Sequence, residues 1–153
     1  MSAGTRLPGT PEPMLRIGDA GGLRLACDLW GEPGAPWVLL LHGGGQTRHA
    51  WKGTGRSLAQ AGYRVAAFDA RGHGDSDWAG DGDYDHAAMA HDLQRVMHAL
   101  GAERPALVGA SLGGGTALFA IGQGLVQSSA LVLVDVAPHI ENDGVDRIRD
   151  FMD

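Results

Sequence analysis

The stretch from Ala106 to Gly114 constrains the fold most, because it joins a short apolar run directly to a Gly-x-Ser-x-Gly turn. The apolar run follows Pro105 and ends in glycines, which predicts a short buried strand. Gly109 and Gly113 flank Ser111, and a side chain at either position would collide with the adjacent strand or helix. The pattern predicts a sharp strand-to-helix turn that holds the Ser111 hydroxyl at the strand tip, at a helix N-terminus.

The length and composition indicate one globular domain. The chain has 153 residues, of which 44% are apolar and 20% charged, as in ordinary globular proteins. The formal net charge of −6 argues against nucleic acid or an anionic membrane surface as the main partner. Glycine is frequent, with 25 residues, about twice its usual share. Many of these glycines follow apolar runs, which is typical of backbone turns that approach a ligand closely.

The cysteine count and the N-terminus bear on localisation. Cys27 is the single cysteine, so no internal disulfide can form and a reducing compartment fits. Residues 1–13 contain three prolines and predict a disordered tail without the apolar segment of a secretory signal. No run approaches the ~18 apolar residues of a membrane span. We therefore expect a cytoplasmic protein that does not enter a membrane.

Strand and helix patterns alternate along the chain. Residues 15–17 and 23–30 flank a Gly-Gly turn and predict a hairpin, whose second strand alternates apolar and polar residues like a half-buried antiparallel strand. The run 37–41 is apolar throughout, which is typical of a parallel strand covered on both faces, and largely apolar runs that predict further buried strands follow at 64–68, 106–110 and 130–136. Helical patterns lie between these runs, at about 47–62, 84–100 and from the serine turn to about 125. The order predicts a mainly parallel sheet with right-handed crossovers.

Polar or glycine-rich motifs follow the predicted parallel strands. They are His42-Gly-Gly-Gly45, the loop 69–76, Ser111 and Asp135. Carboxyl ends of parallel strands lie at one edge of a sheet, where ligands bind. We therefore expect these four motifs to meet at the same edge.

These motifs, in this order and spacing, resemble the N-terminal half of enzymes of the α/β-hydrolase fold family, over about residues 14–137. The resemblance implies an α/β fold with a mainly parallel sheet, helices on both faces and an N-terminal antiparallel hairpin. It assigns residues 14–137 to the hydrolase core and 138–153 to the start of a lid segment. The family's last strands have no counterpart in this chain, so we expect them to be missing.

The resemblance also implies the chemistry. Ser111 would be a nucleophile, activated by a histidine that a carboxylate orients. The N–H groups of Leu112 and Gly44 would form an oxyanion hole for an ester, lactone or similar small carbonyl substrate, cleaved through an acyl-enzyme without cofactor or metal. Members resembling dehalogenases and epoxide hydrolases place an aspartate at the nucleophile position, so Ser111 argues against those activities. The structural alternative for Ser111 is a helix N-cap.

The rest of such a triad is incomplete in the sequence. In the family order the histidine comes last, and only His139 follows Ser111, so the expected histidine is apparently absent. Asp135 is a weak candidate for the acid, and we expect His42 and His73 to have structural roles. The 153-residue chain alone is therefore expected to be inactive or nearly so. Its uncovered strand 130–136 predicts self-association or a partner chain.

Three alternatives remain open. The chain could be a non-catalytic α/β fragment that binds a ligand or a partner chain. Gly43-x-Gly45, with Asp69 ending the next strand, imitates a dinucleotide-binding fingerprint that lacks its third glycine. The acidic series Asp81, Asp83, Asp85 and Asp92 imitates a calcium loop, but His86 replaces the glycine that such a loop needs. Helix capping explains the acidic series better.

Overall fold

The computed structural model describes residues 11–18 and 22–135, and the described residues form one six-stranded sheet with helices on both faces. The strands are β1 (Leu15–Ile17), β2 (Leu25–Trp30), β3 (Trp37–Leu41), β4 (Arg64–Phe68), β5 (Ala106–Ala110) and β6 (Ala130–Val134). Their order across the sheet is β1-β2-β4-β3-β5-β6. β1, β2 and β4 pair antiparallel, whereas β4, β3, β5 and β6 run parallel. This confirms the α/β architecture, with its N-terminal antiparallel hairpin.

Three α-helices cover the sheet within the described ranges. They are α1 (Lys52–Gln60), which follows a 3-10 turn at Arg48–Trp51, α2 (His86–Leu100) and α3 (Leu112–Gly122). α2 and α3 bury Leu93, Val96 and Ala117 against one face of the sheet. α1 packs Leu58 against the opposite face, over Val38 and Val65. The core therefore lies in two layers on either side of β3 and β4.

The register of the parallel strands brings their carboxyl ends level. Leu41 is paired with Phe68 on one side and with Gly109 on the other, and Gly109 is paired with Leu133. The loops that follow these strands therefore leave the sheet at one edge. This confirms the expected meeting of the four polar motifs.

The expectation that β2 is half-buried is wrong. Leu25, Ala26, Cys27 and Asp28 are all buried, although the alternation of apolar and polar residues suggested one exposed face. The buried Asp28 carboxylate receives a hydrogen bond from the guanidinium of Arg48, so the polar face of β2 is covered by an ion pair and not by water.

The helix and strand ends differ slightly from the predicted ones. α2 begins after Asp85, whose carboxylate accepts a hydrogen bond from the N–H of Ala88 at 2.8 Å. It ends at Gly101, which has a left-handed φ of 70°, as glycine permits at a helix C-terminus. β6 ends at Val134, before the predicted end at 136.

The predicted terminal segments lie almost wholly outside the described residues. This applies to residues 1–10 of the predicted tail and to the whole predicted lid segment 138–153; residues 11–13 contain no helix or strand. In the described part of the chain, no helix has both the length and the apolar character needed to cross a membrane.

Candidate active site

The serine turn is strained and held from both sides. Ser111 lies between β5 and α3 with φ 48° and ψ −111°, a conformation that costs a non-glycine residue free energy and is found mainly at functional sites. Its N–H donates to the carbonyl oxygen of Val134 at 3.0 Å, and its carbonyl oxygen accepts from the N–H of Gly115 at 3.0 Å. β6 and α3 therefore stabilise the strained turn.

The two flanking positions require glycine, as the sequence predicted. A Cβ atom on Gly109 would lie 2.5 Å from the backbone nitrogen of Gly114. A Cβ atom on Gly113 would overlap the carbonyl oxygen of Leu41. The turn thus packs its own backbone against β3 and α3 too closely for any side chain.

The Ser111 side chain is exposed and does not cap α3, the helix that follows it. No group in the described part of the chain is hydrogen-bonded to its hydroxyl oxygen. The N-cap alternative therefore does not explain this serine, and a base for it is not among these contacts. His139, the one histidine after Ser111, lies outside the described residues.

The glycine loop after β3 leaves one backbone donor unused. The N–H of Gly43 donates to Oε1 of Gln46 at 3.0 Å, and the N–H of Gly45 donates to Nε2 of His73 at 3.2 Å. The N–H of Gly44, between them, has no acceptor among residues 11–18 and 22–135. An added Cβ on Gly44 would lie 3.8 Å from the Cβ of Leu112, so the loop adjoins the first turn of α3.

Leu112 provides a second candidate donor. It is the first residue of α3, and the first N–H groups of a helix have no acceptor within that helix. They also lie at the positive end of the helix dipole. One candidate donor, the N–H of Leu112, thus belongs to the residue that follows Ser111. The other, the N–H of Gly44, lies in the loop that adjoins α3.

Two histidines hold the loops together. His42 is buried, its Nε2 accepts from the N–H of Ala70 at 2.9 Å, and its Nδ1 faces the carbonyl oxygen of Gly43 at 2.8 Å. Burial lowers the pKa of His42 below its usual value, which favours the neutral ring that this arrangement needs. His73 binds the opposite loop through Gly45. Both histidines therefore have the structural hydrogen bonds that we expected.

A buried ionic cluster, which the sequence analysis missed, anchors the segment after the glycine loop. The side chain of Arg48 is fully buried and contacts the carboxylates of Asp28 at 2.9 Å, Asp69 at 2.5 Å and Asp75 at 2.8 Å. The available signal was the presence of charged residues after β3 and β4 and within β2, although the sequence did not show which charges pair. Since Asp69 is wholly buried in this cluster, it is not available to a ribose, and the dinucleotide alternative loses its acidic residue.

Members of the acidic series at the start of α2 are engaged in capping and in ion pairs. Asp85 caps the helix, whereas Asp92 is paired with Arg71 and Arg95 at 2.6 Å each. In the described ranges, no cluster of three or more His, Cys, Asp or Glu side chains is suited to hold a metal. The capping interpretation of Asp85 is confirmed.

Asp135 reaches the same edge as Ser111. It directly follows Val134, whose carbonyl oxygen receives the N–H of Ser111, and it has a positive φ of 55°. Asp135 is exposed. The structure therefore places this acid candidate beside the serine turn without assigning it a role.

Several known proteins are similar to this chain in sequence. The family model for the alpha/beta hydrolase fold matches residues 36–151. The chain is 41% identical over 111 residues to Esterase Rv0045c of Mycobacterium tuberculosis, covering 71% of this chain and 35% of that esterase. It is 40% identical over 98 residues to Epoxide hydrolase A of the same organism, covering 63% of this chain and 30% of that protein.

A solved structure shows the same fold. An alpha/beta hydrolase from Novosphingobium aromaticivorans matches with a TM-score of 0.78 and 30% identity, over 94% of this chain and 51% of that one. The chain thus spans about a third of the curated relatives named above and about half of this solved structure.

Proposed function

The chain belongs to the alpha/beta-hydrolase fold family, and we propose that Ser111 is the nucleophile of a hydrolase that cleaves an ester, lactone or related carbonyl compound. One observation carries the proposal: among the described residues, the hydroxyl of the strained, exposed serine has no hydrogen-bond partner, and the N–H groups of Leu112 and Gly44 near it have no acceptor. If Ser111 were a helix cap, its hydroxyl would accept a hydrogen bond from the helix. If the loop had only a structural role, its N–H groups would donate to acceptors within the protein.

The reaction follows from these groups. The hydroxyl oxygen of Ser111 attacks the carbonyl carbon while a base takes its proton. Negative charge then develops on the carbonyl oxygen, where the N–H groups of Leu112 and Gly44 stabilise it; one such donor typically lowers the barrier by about 3–4 kcal/mol. The leaving alcohol takes the proton, and water hydrolyses the acyl-enzyme by the same route.

The serine favours an ester over an epoxide as the substrate, although both kinds of enzyme occur among the relatives. An alkoxide that opens an epoxide would join the enzyme to the substrate through an ether, which water does not readily hydrolyse. The same alkoxide on a carbonyl carbon forms an ester, which water does hydrolyse. Ser111 can therefore complete a catalytic cycle on a carbonyl compound.

We propose Asp135 as an alternative acid, because it follows β6 beside the serine turn. No histidine in the described ranges is hydrogen-bonded to Ser111. We therefore propose that residues 1–153 expressed alone have at most trace esterase activity, since loss of a triad member typically costs roughly 10⁴–10⁶ in kcat. Hydrolysis of an activated aryl acetate, compared with Ser111→Ala, tests this: ordinary enzymatic turnover that depends on Ser111 would contradict it.

We also propose that residues 1–153 alone associate through β6. Within the described residues this strand pairs only with β5, and Val132 and Val134 are 50% and 39% exposed on one face. Apolar side chains beside unpaired backbone groups are a template for association with a second copy. Sedimentation should show dimers or larger species, and a stable monomer would contradict the proposal.

The main test is covalent labelling of the protein as its gene encodes it. A fluorophosphonate probe followed by peptide mapping should modify Ser111, and Ser111→Ala should abolish the label. Ser57→Ala, on exposed α1, is the matched control. Ser76 should stay unmodified, because it is buried and its hydroxyl donates to the Asp69 carbonyl oxygen at 2.6 Å. Modification of another serine, or none at all, would overturn the assignment.

A further inference from the structure

Two histidines exchange hydrogen bonds between the loops that follow β3 and β4. His42 belongs to the first loop and accepts from the N–H of Ala70 in the second, at 2.9 Å. His73 belongs to the second loop and accepts from the N–H of Gly45 in the first, at 3.2 Å. The two rings lie side by side, with centroids 5.0 Å apart. Each loop thus has one backbone N–H that is hydrogen-bonded to a histidine ring of the other loop.

The hydrogen bonds of each ring determine which nitrogen carries the proton. Nδ1 of His42 faces the carbonyl oxygen of Gly43 at 2.8 Å, and Nδ1 of His73 faces the carbonyl oxygen of Arg71 at 3.1 Å. A carbonyl oxygen can only accept, so Nδ1 is the donor in both rings. Nε2 then carries no proton and can accept from a backbone N–H. Each ring is therefore oriented by a carbonyl oxygen of its own loop and accepts a hydrogen bond from the other loop.

We propose that His73 is a positioning residue for the candidate oxyanion hole, an inference that rests on the proposed function of Ser111 and Gly44. The N–H of Gly44 belongs to a peptide unit whose two neighbouring peptide units are each held by a hydrogen bond. Oε1 of Gln46 holds the N–H of Gly43 before it, and Nε2 of His73 holds the N–H of Gly45 after it. His73 therefore limits the directions in which the free N–H of Gly44 can point.

The glycine loop after β3 needs the hydrogen bond to His73 because its backbone can adopt many conformations. It contains three consecutive glycines, and Gly45 has a left-handed φ of 75°. Glycine adopts many backbone conformations at little cost, so a peptide unit between glycines can rotate when its hydrogen bond is lost. Gly44 and Gly45 are also exposed, so no packing from a covering side chain replaces that bond.

Paired substitutions of His73 separate positioning from general loop stability. In His73→Gln the side-chain oxygen can take the place of Nε2 and accept from Gly45. In His73→Asn the shorter amide can still donate to the carbonyl oxygen of Arg71 but does not reach Gly45. In the protein as its gene encodes it, we expect kcat for an activated ester to fall roughly 10- to 100-fold in His73→Asn, with KM within about 2-fold. His73→Gln should recover most of kcat.

Amide hydrogen exchange gives a readout that does not depend on activity. The amide of Gly45, which donates to Nε2 of His73, should exchange at least about 10-fold faster in His73→Asn than in the unmodified protein, because a lost hydrogen bond exposes the amide, and at a near-normal rate in His73→Gln. Identical exchange in all three proteins would overturn the proposal, as would an equal loss of kcat in both variants. If Ser111 does not react with a fluorophosphonate in the unmodified protein, the proposed function fails, and the exchange rates alone then decide whether His73 holds the loop.

Discussion

The backbone N–H and the guanidinium of Arg48 bind the two carboxylate oxygens of Asp69, at 2.6 and 2.5 Å. Asp69 follows β4, and Arg48 begins the 3-10 turn after the glycine loop. This pair therefore joins the chain after the candidate oxyanion hole to the centre of the sheet. Both side chains are wholly buried, so neither charge can be solvated if the other is removed.

Arg48→Met is expected to lower the free energy of unfolding by about 3–5 kcal/mol, because it leaves buried carboxylates without their cation. Urea denaturation monitored by circular dichroism measures the change. Arg56→Met, on the exposed side of α1, is the matched control and should change the value by less than about 0.5 kcal/mol. Equal effects of the two substitutions would contradict the ionic account of this cluster.

Gly113→Ala is expected to destabilise the protein by about 1–3 kcal/mol or more, because its Cβ would overlap the carbonyl oxygen of Leu41. Gly53→Ala is the matched control in a helix. An added Cβ on Gly53 meets nothing within 4 Å, so this change should stabilise by about 0.5–1 kcal/mol. Thermal or urea unfolding of both variants tests the prediction, which fails if Gly113→Ala is as stable as the unmodified protein.

In the protein as its gene encodes it, Gly44→Val is expected to lower kcat roughly 10²-fold without unfolding the protein. The site has room for a Cβ, which would lie 3.8 Å from the Cβ of Leu112, but the branched side chain should displace the loop and its free N–H. Gly44→Ala, which fits that space, should keep more of the activity. Paired kinetics and melting curves decide the matter: normal kcat with a normal melt for Gly44→Val would exclude this loop from the mechanism.

The buried His42 should make stability depend on pH. Burial lowers its folded-state pKa, so the unfolded state binds more protons as the pH falls through about 6.5, the usual pKa of histidine. The free energy of unfolding should therefore be greatest above that pH and decrease as the pH falls toward the lowered folded-state pKa.

Urea unfolding between about pH 5 and 8 measures this slope. His42→Gln should reduce it, because glutamine can accept from Ala70 but does not titrate. His91→Gln, at an exposed position of α2, is the matched control, and the difference between the two variants isolates His42. The same slope in both variants would show that His42 does not couple folding to pH in this range.

Local sequence patterns determined the strands and the serine turn. β3 and β4 occupy 37–41 and 64–68, as the largely apolar runs predicted, because a strand covered on both faces is mostly apolar. The strained turn at Ser111 was equally readable, since a serine between two glycines after an apolar run is a local pattern. The contact that requires Gly113 is not local, because an added Cβ would overlap the carbonyl oxygen of Leu41 in β3.

Only the tertiary structure decided which polar groups form ion pairs or hydrogen bonds and which have no partner among the described residues. Asp28, Arg48 and Asp75 meet because β2 lies beside β4, which lies beside β3, and no local pattern contains that order. The N–H of Gly45 donates to His73, from a separate loop, whereas the N–H of Gly44 beside it has no acceptor among the described residues. A hydrogen bond forms over about 3 Å in space whatever the separation in sequence, so its partner is known only once the strands are in place.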